Sequence, residues 1–342
     1  MRIAIDATYS IDPFPSGIAV YSRELLRGLA LEHPEDTLIQ CFRIKQWKHQ
    51  QSAADASVRI LQWPLPIGKA DVFHALNQRV DWRPARKVIS TFHDLFVMTA
   101  EYSSPEFRRR FTAQARSAAD RSDAIIAVSH FTAEQVHSVL GVERTRIRVV
   151  PHGVHVPVHA SQAKRENVIL SVGALQFRKN TDRLVEAFER LHRPDWRLVL
   201  AGSPSGYGAK EILQRIGKST ARERIEIAGY VSAEKLKDLY STAKVFAFVS
   251  LDEGFGIPVL EAMAYGVPVL TSDRSALPEV CGDAALQVDP TSTDAIASSL
   301  QTLVGDEELR STLCEKGRRR AVGYSWENCV RETYKVYEEI LG

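Results

Sequence analysis

The amino-acid sequence predicts an α/β protein with two doubly wound domains, each built on a parallel β-sheet that helices cover on both faces. Short apolar runs alternate with amphipathic segments along the chain, as happens when helices connect parallel strands. The alternation restarts near the middle, after a segment rich in proline, histidine and polar residues. A length of 342 residues also allows each half to bury a core of its own.

In the first half, the apolar runs that predict strands are IAIDA, TLIQCF, VRILQW, DVFHAL, KVISTF, AIIAVS and IRVVP. The spacing of apolar residues predicts helices over residues 17–31, 105–121 and 131–140. Strands separated by helices need crossover connections, and these connections place the strands in one parallel sheet.

In the second half, the predicted strands are VILSVG, WRLVLAG, RIEIAGY, AKVFAFV, VPVLTS and ALQVD. They alternate with helices predicted near residues 180–192, 208–218, 233–241, 258–265 and 292–304. The second half therefore has enough strand–helix units for a second doubly wound sheet.

The predicted domain boundary lies within PHGVHVPVHASQAKREN. It assigns residues 1–157 to the first domain and residues 158–325 to the second. The last segment, SWENCVRETYKVYEEIL, has apolar residues at helical spacing from Val330 to Leu341 and predicts a final helix. An amphipathic helix of this kind needs a surface on which to bury its apolar side.

The composition and the missing motifs exclude several classes of function. The 44 Lys and Arg residues nearly balance the 42 Asp and Glu residues, so the net charge of +2 does not indicate a nucleic-acid partner. The four cysteines form no CxxC pair, and no signal-peptide pattern precedes them, which predicts reduced thiols and a cytoplasmic location. No GxGxxG, GxxxxGK[ST], HExxH or DxD sequence occurs at a suitable place, so we expect neither a dinucleotide cofactor nor a metal.

The stretch SLDEGFGIPVLEAMAYGVPVL places carboxylates on both sides of a glycine-rich turn. The turn follows a predicted strand, and Pro258 suits the first position of the next helix because its missing N–H would be unpaired there anyway. The amides of residues 254–257 then form a helix start that binds anions or hydroxyls, with Glu253 beside it. Gly254 and Gly256 allow a ligand to approach the backbone closely.

Glu261 lies inside the same predicted helix, among apolar residues. Burying a lone carboxylate is costly unless it is paired or hydrogen-bonded. Two interpretations follow. Either the vicinal hydroxyls of a ribose donate hydrogen bonds to Glu261, or Glu261 interacts with the helix dipole or with a distant arginine.

Further polar residues follow other predicted strands. Arg178 and Lys179 come after VILSVG, and Asn180 or Thr181 caps the next helix. Two adjacent cations at a strand end suit a diphosphate, although a solvated basic loop is the alternative. His93 follows KVISTF, where a surface or core histidine is the alternative to a site residue.

Together these fragments resemble the retaining GT-B glycosyltransferases of family 4, over nearly the whole chain. The most specific feature is the E-x7-E pattern of Glu253 and Glu261, which VGALQFRKN, AGYVSAEKLKDLYSTAKVFAFVS, AVSHFTAEQV, VVPHGV and SGIAVYSREL support. The resemblance implies two Rossmann-like domains facing a central cleft. It also implies that the first domain lies on the acceptor side, that the final helix, residues 326–342, crosses back to it, and that the second domain binds the donor.

The resemblance also implies a role for each matching residue. It makes His93 and Glu253, both near the donor sugar, the catalytic candidates. It assigns the ribose to Glu261, the base to Val231, and the diphosphate to the two cations. The full donor-binding set is Gly17, Arg178, Lys179, Val231, Gly254, Phe255, Gly256 and Glu261.

One position departs from the family pattern. Many members carry an arginine directly after the glycine that ends the first strand of the second domain, and Ala174 stands there in this chain. We therefore expect Arg178 to supply the missing cation.

The implied function is retaining transfer of a hexose from a nucleotide-sugar donor to a glycan or lipid-linked acceptor of a surface polysaccharide. The similarity to bacterial polysaccharide mannosyltransferases favours GDP-mannose, with UDP-hexoses as the alternative and no metal requirement. No apolar run is long enough to span a membrane. Arg108 to Arg110 and Arg116 leave two interpretations open, either a solvated helix face or peripheral contact with anionic lipid at the inner membrane surface. The other hypotheses are a GT-B sugar-nucleotide epimerase or phosphorylase, and a non-catalytic nucleotide-sugar-binding subunit.

Overall fold

The computed structural model describes residues 1–12, 16–47, 57–62, 65, 67–157 and 164–342. Residues 13–15 of the predicted loop after the first strand, residue 63 of VRILQW and residues 158–163 of the predicted boundary segment lie outside the described residues. The chain divides into two compact units. The first comprises Met1–Ala100, Pro105–Gly153 and Trp326–Gly342, and the second comprises Glu101–Ser104 and Val154–Ser325.

The described residues of the first unit form a seven-stranded parallel sheet with the strand order β3-β2-β1-β4-β5-β6-β7. Its strands are β1 (Arg2–Asp6), β2 (Thr37–Phe42), β3 (Ser57–Ile60), β4 (Val72–Ala75), β5 (Lys87–Phe92), β6 (Ala124–Ala127) and β7 (Ile147–Val149). The helices that connect them are α1 (Gly17–Glu32), α2 (Ile44–Trp47), α3 (Phe96–Thr99), α4 (Pro105–Arg121) and α5 (His130–Leu140).

Both faces of this sheet are buried, which explains the continuous apolar runs of its strands. Along β1, Ala4 packs into one hydrophobic cluster with residues of α4 and α5, such as Phe111. Ile3 and Ile5 point to the other face, where they pack with residues of α1 such as Leu25. Helices therefore cover the sheet on both sides.

The described residues of the second unit form a six-stranded parallel sheet with the order β10-β9-β8-β11-β12-β13. Its strands are β8 (Glu166–Val172), β9 (Arg197–Ala201), β10 (Ile225–Gly229), β11 (Ala243–Phe248), β12 (Val269–Ser272) and β13 (Leu286–Val288). Its helices are α6 (Thr181–Glu189), α7 (Ala209–Gly217), α8 (Ala233–Thr242), α9 (Ile257–Ala264), α10 (Leu277–Cys281), α11 (Thr293–Gly305) and α12 (Glu307–Val322).

The spacing of apolar residues does not predict a helix over Glu307–Val322, where α12 lies. Its sequence, EELRSTLCEKGRRRAV, is strongly charged and buries mainly small side chains such as Ala321, so its apolar periodicity is weak. The helix is held from its start, where the Asp306 side chain accepts a hydrogen bond from Leu309 N. Gly317 then packs closely against Met263 of α9. Tertiary packing therefore stabilises a helix that the sequence pattern does not reveal.

The final helix α13 (Trp326–Leu341) belongs to the first unit. It packs against α1, where Gly28 lies next to Val330. Val330 and Tyr337 are fully buried, and the Tyr337 hydroxyl lies 2.7 Å from Nδ1 of His74 in β4. The apolar side of α13 thus completes the cover on one face of the first sheet. Among the described residues, no helix is long and apolar enough to cross a membrane.

Candidate active site

The second sheet has a topological switch point between β8 and β11. The chain leaves β8 towards β9 and β10, and then returns to place β11 on the other side of β8. In open parallel sheets, ligands bind beyond the carboxyl ends of the strands at such a point. The two loops that meet there carry Arg178 and Lys179 after β8, and Glu253 to Gly256 after β11.

The loop after β8 is tied to its neighbours by a side-chain amide. Residues Phe177–Lys179 form a single 3-10 turn, and Asn180 follows in the left-handed conformation with a φ of 58°. The Asn180 amide donates to the carbonyls of Val249, at 3.0 Å, and Pro290, at 2.7 Å. Asn180 occupies the N-cap position of α6, but its side chain does not cap the helix, because its Oδ1 accepts a hydrogen bond of 2.9 Å from Arg183 Nη1.

Arg178 and Lys179 both form ion pairs with Glu253. Arg178 Nη1 lies 2.7 Å from Glu253 Oε2, and Lys179 Nζ lies 2.6 Å from Oε1. Arg178 also donates to the main-chain carbonyl of Asp252, and Lys179 Nζ lies 4.6 Å from the centre of the Phe248 ring. Two loops that are far apart in sequence are therefore joined through one carboxylate.

Glu253 is ionised at neutral pH in this arrangement. Burial by itself raises the pKa of Glu253, but the charges of Arg178 and Lys179 and their hydrogen bonds outweigh burial and lower the pKa to about 2. All three side chains are largely buried, so solvent screens their interaction poorly. The cluster carries a net charge of one positive unit, from two cations and one anion.

The glycine turn after Glu253 is shaped by packing. Gly256 has a φ of 114°, and a Cβ placed there would lie 2.7 Å from Leu277 Cδ2. Both facts require glycine at this position. Helix α9 begins at Ile257, so Pro258 takes the second helical position and the prediction that it occupies the first is wrong by one residue. The turn still leads directly into the start of a helix.

The half-buried carboxylate of Glu261 meets a tyrosine instead of an arginine. The Tyr240 hydroxyl donates a hydrogen bond of 2.8 Å to Glu261 Oε2. None of the described residues donates a hydrogen bond to Oε1. Burial raises the pKa of Glu261, against the opposing effects of the Tyr240 hydrogen bond and of His155. One oxygen of Glu261 is thus held by the protein.

Val231 follows β10, the edge strand of the second sheet, and is half-buried. Strand β9 separates β10 from β8, which places the β10 loop about 10 Å from the cation loop at ordinary strand spacing. The predicted base site and the predicted diphosphate site therefore both lie at the carboxyl ends of strands of the same sheet.

His93 and Gly17 are in the first unit, and the structure brings His93 together with a second histidine. His93 Nε2 lies 2.8 Å from the Leu76 carbonyl, and Nδ1 lies 3.2 Å from His152 Nε2. Gly17 begins α1 and is exposed. Burial lowers the pKa of His93 to about 4, so the ring is neutral at pH 7.

These contacts determine the proton positions on both rings. A carbonyl oxygen only accepts, so the single proton of neutral His93 is on Nε2 and its Nδ1 accepts from His152 Nε2–H. Tyr21 packs against both rings, at centroid distances of 5.1 Å and 4.9 Å. His152 is not among the predicted site residues, although the fragment VVPHGV places it directly after a predicted strand.

A buried polar network lies behind this pair. His74 Nε2 lies 2.8 Å from the Thr91 hydroxyl, which lies 3.0 Å from the Tyr21 hydroxyl, and His74 Nδ1 lies 2.7 Å from Tyr337. Burial and the nearby His93 lower the pKa of His74 to about 3, so His74 is also neutral. The network connects α13, α1 and two strands of the sheet.

Comparisons with known proteins agree with this architecture. The family described as Glycosyl transferases group 1 matches residues 158–320, and the family described as Glycosyltransferase Family 4 matches residues 38–156. The O-antigen chain mannosyltransferase B of Escherichia coli is 29% identical over 328 residues, which cover 91% of this chain and 83% of that protein.

Solved structures share the fold over nearly the whole chain. Sucrose-phosphate synthase from Thermosynechococcus elongatus has a TM-score of 0.80 at 20% identity and covers 99% of both chains. The Anabaena protein HepE, solved with UDP and glucose, has a TM-score of 0.74 at 15% identity and covers 98% of this chain and 99% of its own. The predicted fold class is confirmed by the two parallel-sheet units and these neighbours. The chain belongs to the GT-B glycosyltransferases of family 4.

Proposed function

We propose that this glycosyltransferase moves a hexose, with retention of configuration, from a nucleoside-diphosphate sugar to a glycan or lipid-linked saccharide in surface polysaccharide synthesis. The observation that carries the proposal is the cluster of Arg178, Lys179 and Glu253 at the switch point of the second sheet. It provides cations for a diphosphate beside the amides of the glycine turn.

The nucleotide would lie across the carboxyl ends of the strands of the second sheet. The base would lie at Val231, the diphosphate at Arg178 and Lys179, and the ribose hydroxyls at Glu261. The Tyr240 hydrogen bond supports this role for Glu261, because it holds one oxygen and leaves the other for a ligand hydroxyl.

The reaction would be a displacement on the face of the sugar from which the diphosphate leaves. The acceptor oxygen forms a bond to the anomeric carbon as the bond from that carbon to the diphosphate breaks, and the acceptor proton passes to the departing phosphate oxygen. Arg178 and Lys179 would stabilise the charge that grows on the diphosphate. Both oxygens of Glu253 contact cations, which favours this route over attack by Glu253. Neutral His93 would position the sugar instead of protonating it.

GDP-mannose is the first donor we propose, because the Escherichia coli relative is named a mannosyltransferase. A UDP-hexose is the second, because the Anabaena neighbour was solved with UDP and glucose. No metal step is needed where two side-chain cations bind the diphosphate, so we expect transfer to continue in the presence of EDTA.

The test is an assay of GDP-mannose and UDP-glucose, each with and without a saccharide acceptor. Release of nucleoside diphosphate that depends on the acceptor, with an α-configured product from an α-configured donor by NMR, supports the proposal. A sugar that changes without acceptor would indicate an epimerase. Donor binding without transfer or hydrolysis would indicate a non-catalytic subunit.

We also propose that α4 contacts an anionic membrane surface close to the acceptor. Its exposed Phe107 lies under Arg110, with the guanidinium carbon 5.2 Å from the ring centre, and Arg108 and Arg109 are adjacent. Sedimentation with vesicles containing phosphatidylglycerol, but not with neutral vesicles, is the expected result. Loss of binding in an Arg109→Glu/Arg110→Glu variant would assign the contact to α4, and unchanged binding would contradict it.

A further inference from the structure

The carboxylate of Glu253 occupies the two cations that the proposed function assigns to the donor diphosphate. Each oxygen of Glu253 is within 2.7 Å of one cation, Oε2 of Arg178 and Oε1 of Lys179. Cations and carboxylate are largely buried, so a second anion cannot approach them without also approaching Glu253. A phosphate in contact with the same two nitrogen atoms would lie close to a like charge.

The reaction increases the negative charge at this position. In the donor, the phosphate attached to the sugar is a diester with one negative charge. After transfer it becomes a terminal phosphate, which carries about −1.5 to −2 at pH 7. The product diphosphate therefore meets stronger repulsion from Glu253 than the donor does.

We propose that Glu253 competes internally with the diphosphate for Arg178 and Lys179, and that this competition speeds release of the nucleoside-diphosphate product. When the donor binds, the displaced carboxylate becomes an acceptor for hydroxyls of the donor sugar. When the product forms, Glu253 returns to the cations. This inference rests on the proposed function, because it takes the anion at the cluster to be a nucleotide diphosphate.

The geometry supports exchange of Glu253 over a purely structural ion pair. Glu253 follows β11 in a loop, and its carboxylate is at the end of a side chain with three rotatable bonds. The pKa of Glu253, lowered to about 2, keeps the competing charge present at every physiological pH. The backbone of the loop stays anchored when the side chain moves, because Glu253 O accepts from Ala276 N at 3.2 Å.

The test compares the binding of GDP, UDP and their sugar conjugates to the wild type and to Glu253→Gln by calorimetry. Glutamine keeps the size of the side chain and removes its charge. We expect Glu253→Gln to bind the nucleoside diphosphate at least about tenfold more tightly, because juxtaposed like charges strongly oppose binding. The increase in affinity for the nucleoside-diphosphate sugar should be smaller than the increase for the nucleoside diphosphate. Glu315→Gln, at an exposed site on α12, is the matched control and should leave both affinities unchanged.

A second readout separates competition from loss of structure. Glu253→Gln takes one counter-charge away from two buried cations, so this variant should melt at a lower temperature than the wild type without ligand. When the diphosphate is added, the melting temperature of Glu253→Gln should rise by more than that of the wild type. In Glu253→Asp, the shorter side chain withdraws the carboxylate from the cations, so the rise in melting temperature should be intermediate. This variant replaces Glu253→Gln in the test if the glutamine variant does not fold.

The outcomes distinguish this inference from the proposed function. Equal or weaker diphosphate binding by Glu253→Gln and Glu253→Asp, with normal binding by the wild type, would overturn the inference alone. No binding of GDP or UDP by any of these proteins would overturn the proposed function and the inference with it. Binding by the glutamine variant alone would support competition in its strongest form.

Discussion

Tyr240 and Glu261 share a hydrogen bond of 2.8 Å that explains how a carboxylate is accommodated inside the apolar helix α9. Burial raises the pKa of Glu261, and the hydrogen bond from Tyr240 is the main effect that opposes the rise. Tyr240 is itself buried and lies in α8, which precedes strand β11 in the chain, whereas Glu261 lies in α9, which follows it. The pair orients one oxygen of Glu261.

The first prediction tests the proposed contact between Glu261 and the ribose. Glu261→Gln should weaken binding of a nucleoside diphosphate by about 10- to 100-fold, because hydrogen bonds to a charged acceptor are lost. The variant should bind the ribose and 2′-deoxyribose forms about equally, whereas the wild type should prefer the ribose form. Calorimetry with both nucleotides measures this difference, and the same preference in both proteins would contradict the contact.

The second prediction concerns Lys179. Lys179→Ala should lower kcat by about 10²- to 10³-fold, because one donor to the developing diphosphate charge is lost. Circular dichroism should show an intact fold, since Glu253 keeps its ion pair with Arg178. Lys218→Ala, at an exposed position, is the control and should keep full activity. Unchanged turnover of Lys179→Ala would refute the assignment of this cation to the diphosphate.

The third prediction concerns the histidine pair of the first unit. His93 should be a neutral Nε2–H tautomer, because Nε2 contacts a carbonyl and Nδ1 contacts His152. His152→Ala removes the donor to Nδ1 but not the Leu76 carbonyl, so His93 should stay in the Nε2–H form with a changed Nδ1 chemical shift, whereas His152→Asn, which retains an N–H donor, should keep the wild-type shift. Nitrogen-15 NMR of the imidazole rings distinguishes the two forms. An Nδ1–H tautomer in the wild type would contradict the arrangement.

The fourth prediction is loss of stability in mild acid. Burial and the nearby His93 lower the pKa of His74 from 6.5 to about 3, so the unfolded chain binds a proton in this pH range and the folded protein does not. The free energy of unfolding should therefore fall below pH 6.5, by about 1.4 kcal/mol per pH unit for each such histidine. Urea unfolding at pH 7 and pH 5 measures this loss. The free energy of unfolding should fall less between the two pH values in His74→Gln than in His192→Gln, a control at an exposed histidine. An identical pH slope in the two variants would contradict the buried neutral state.

The fifth prediction concerns the packing of α13 on α1. A methyl group at Gly28 would overlap Val330 Cγ2, so Gly28→Ala should destabilise the first unit by about 1–3 kcal/mol despite the better helix propensity of alanine. Among the described residues, nothing lies within 4 Å of a Cβ at Gly217 in α7. Gly217→Ala should therefore leave the melting temperature unchanged or slightly raised. Equal melting temperatures for the two variants would contradict the packing.

Much of the architecture could be predicted because its signals are local. Each predicted strand lies in one of the two sheets, and the predicted α1 and α4 agree with the structure to within a residue at each end. Apolar runs and helical spacing are properties of neighbouring residues, so they are visible in the sequence. Helix α12 was missed because its buried residues are small and its stability comes from contact with α9.

The candidate site was predicted as a set of residues but not as a set of contacts. Arg178, Lys179 and Glu253 were each placed after strands, and all three meet at the switch point. Their ion pairs were not predicted, because the sequence pattern assigned the two cations to a diphosphate and not to Glu253. Tyr240 was missed because a tyrosine in an amphipathic helix has no local feature that marks it as the partner of a distant carboxylate.

By itself, the sequence determined the two sheets, most of the helices and which residues end up at the carboxyl ends of strands, because periodicity and turn chemistry act over a few residues. Only the tertiary structure decided which side chains meet: Glu253 with two cations, His152 with His93, and Tyr240 with Glu261. Such pairs join positions far apart in the chain, and their free energy depends on burial and distance, which arise only when the strands have been brought side by side.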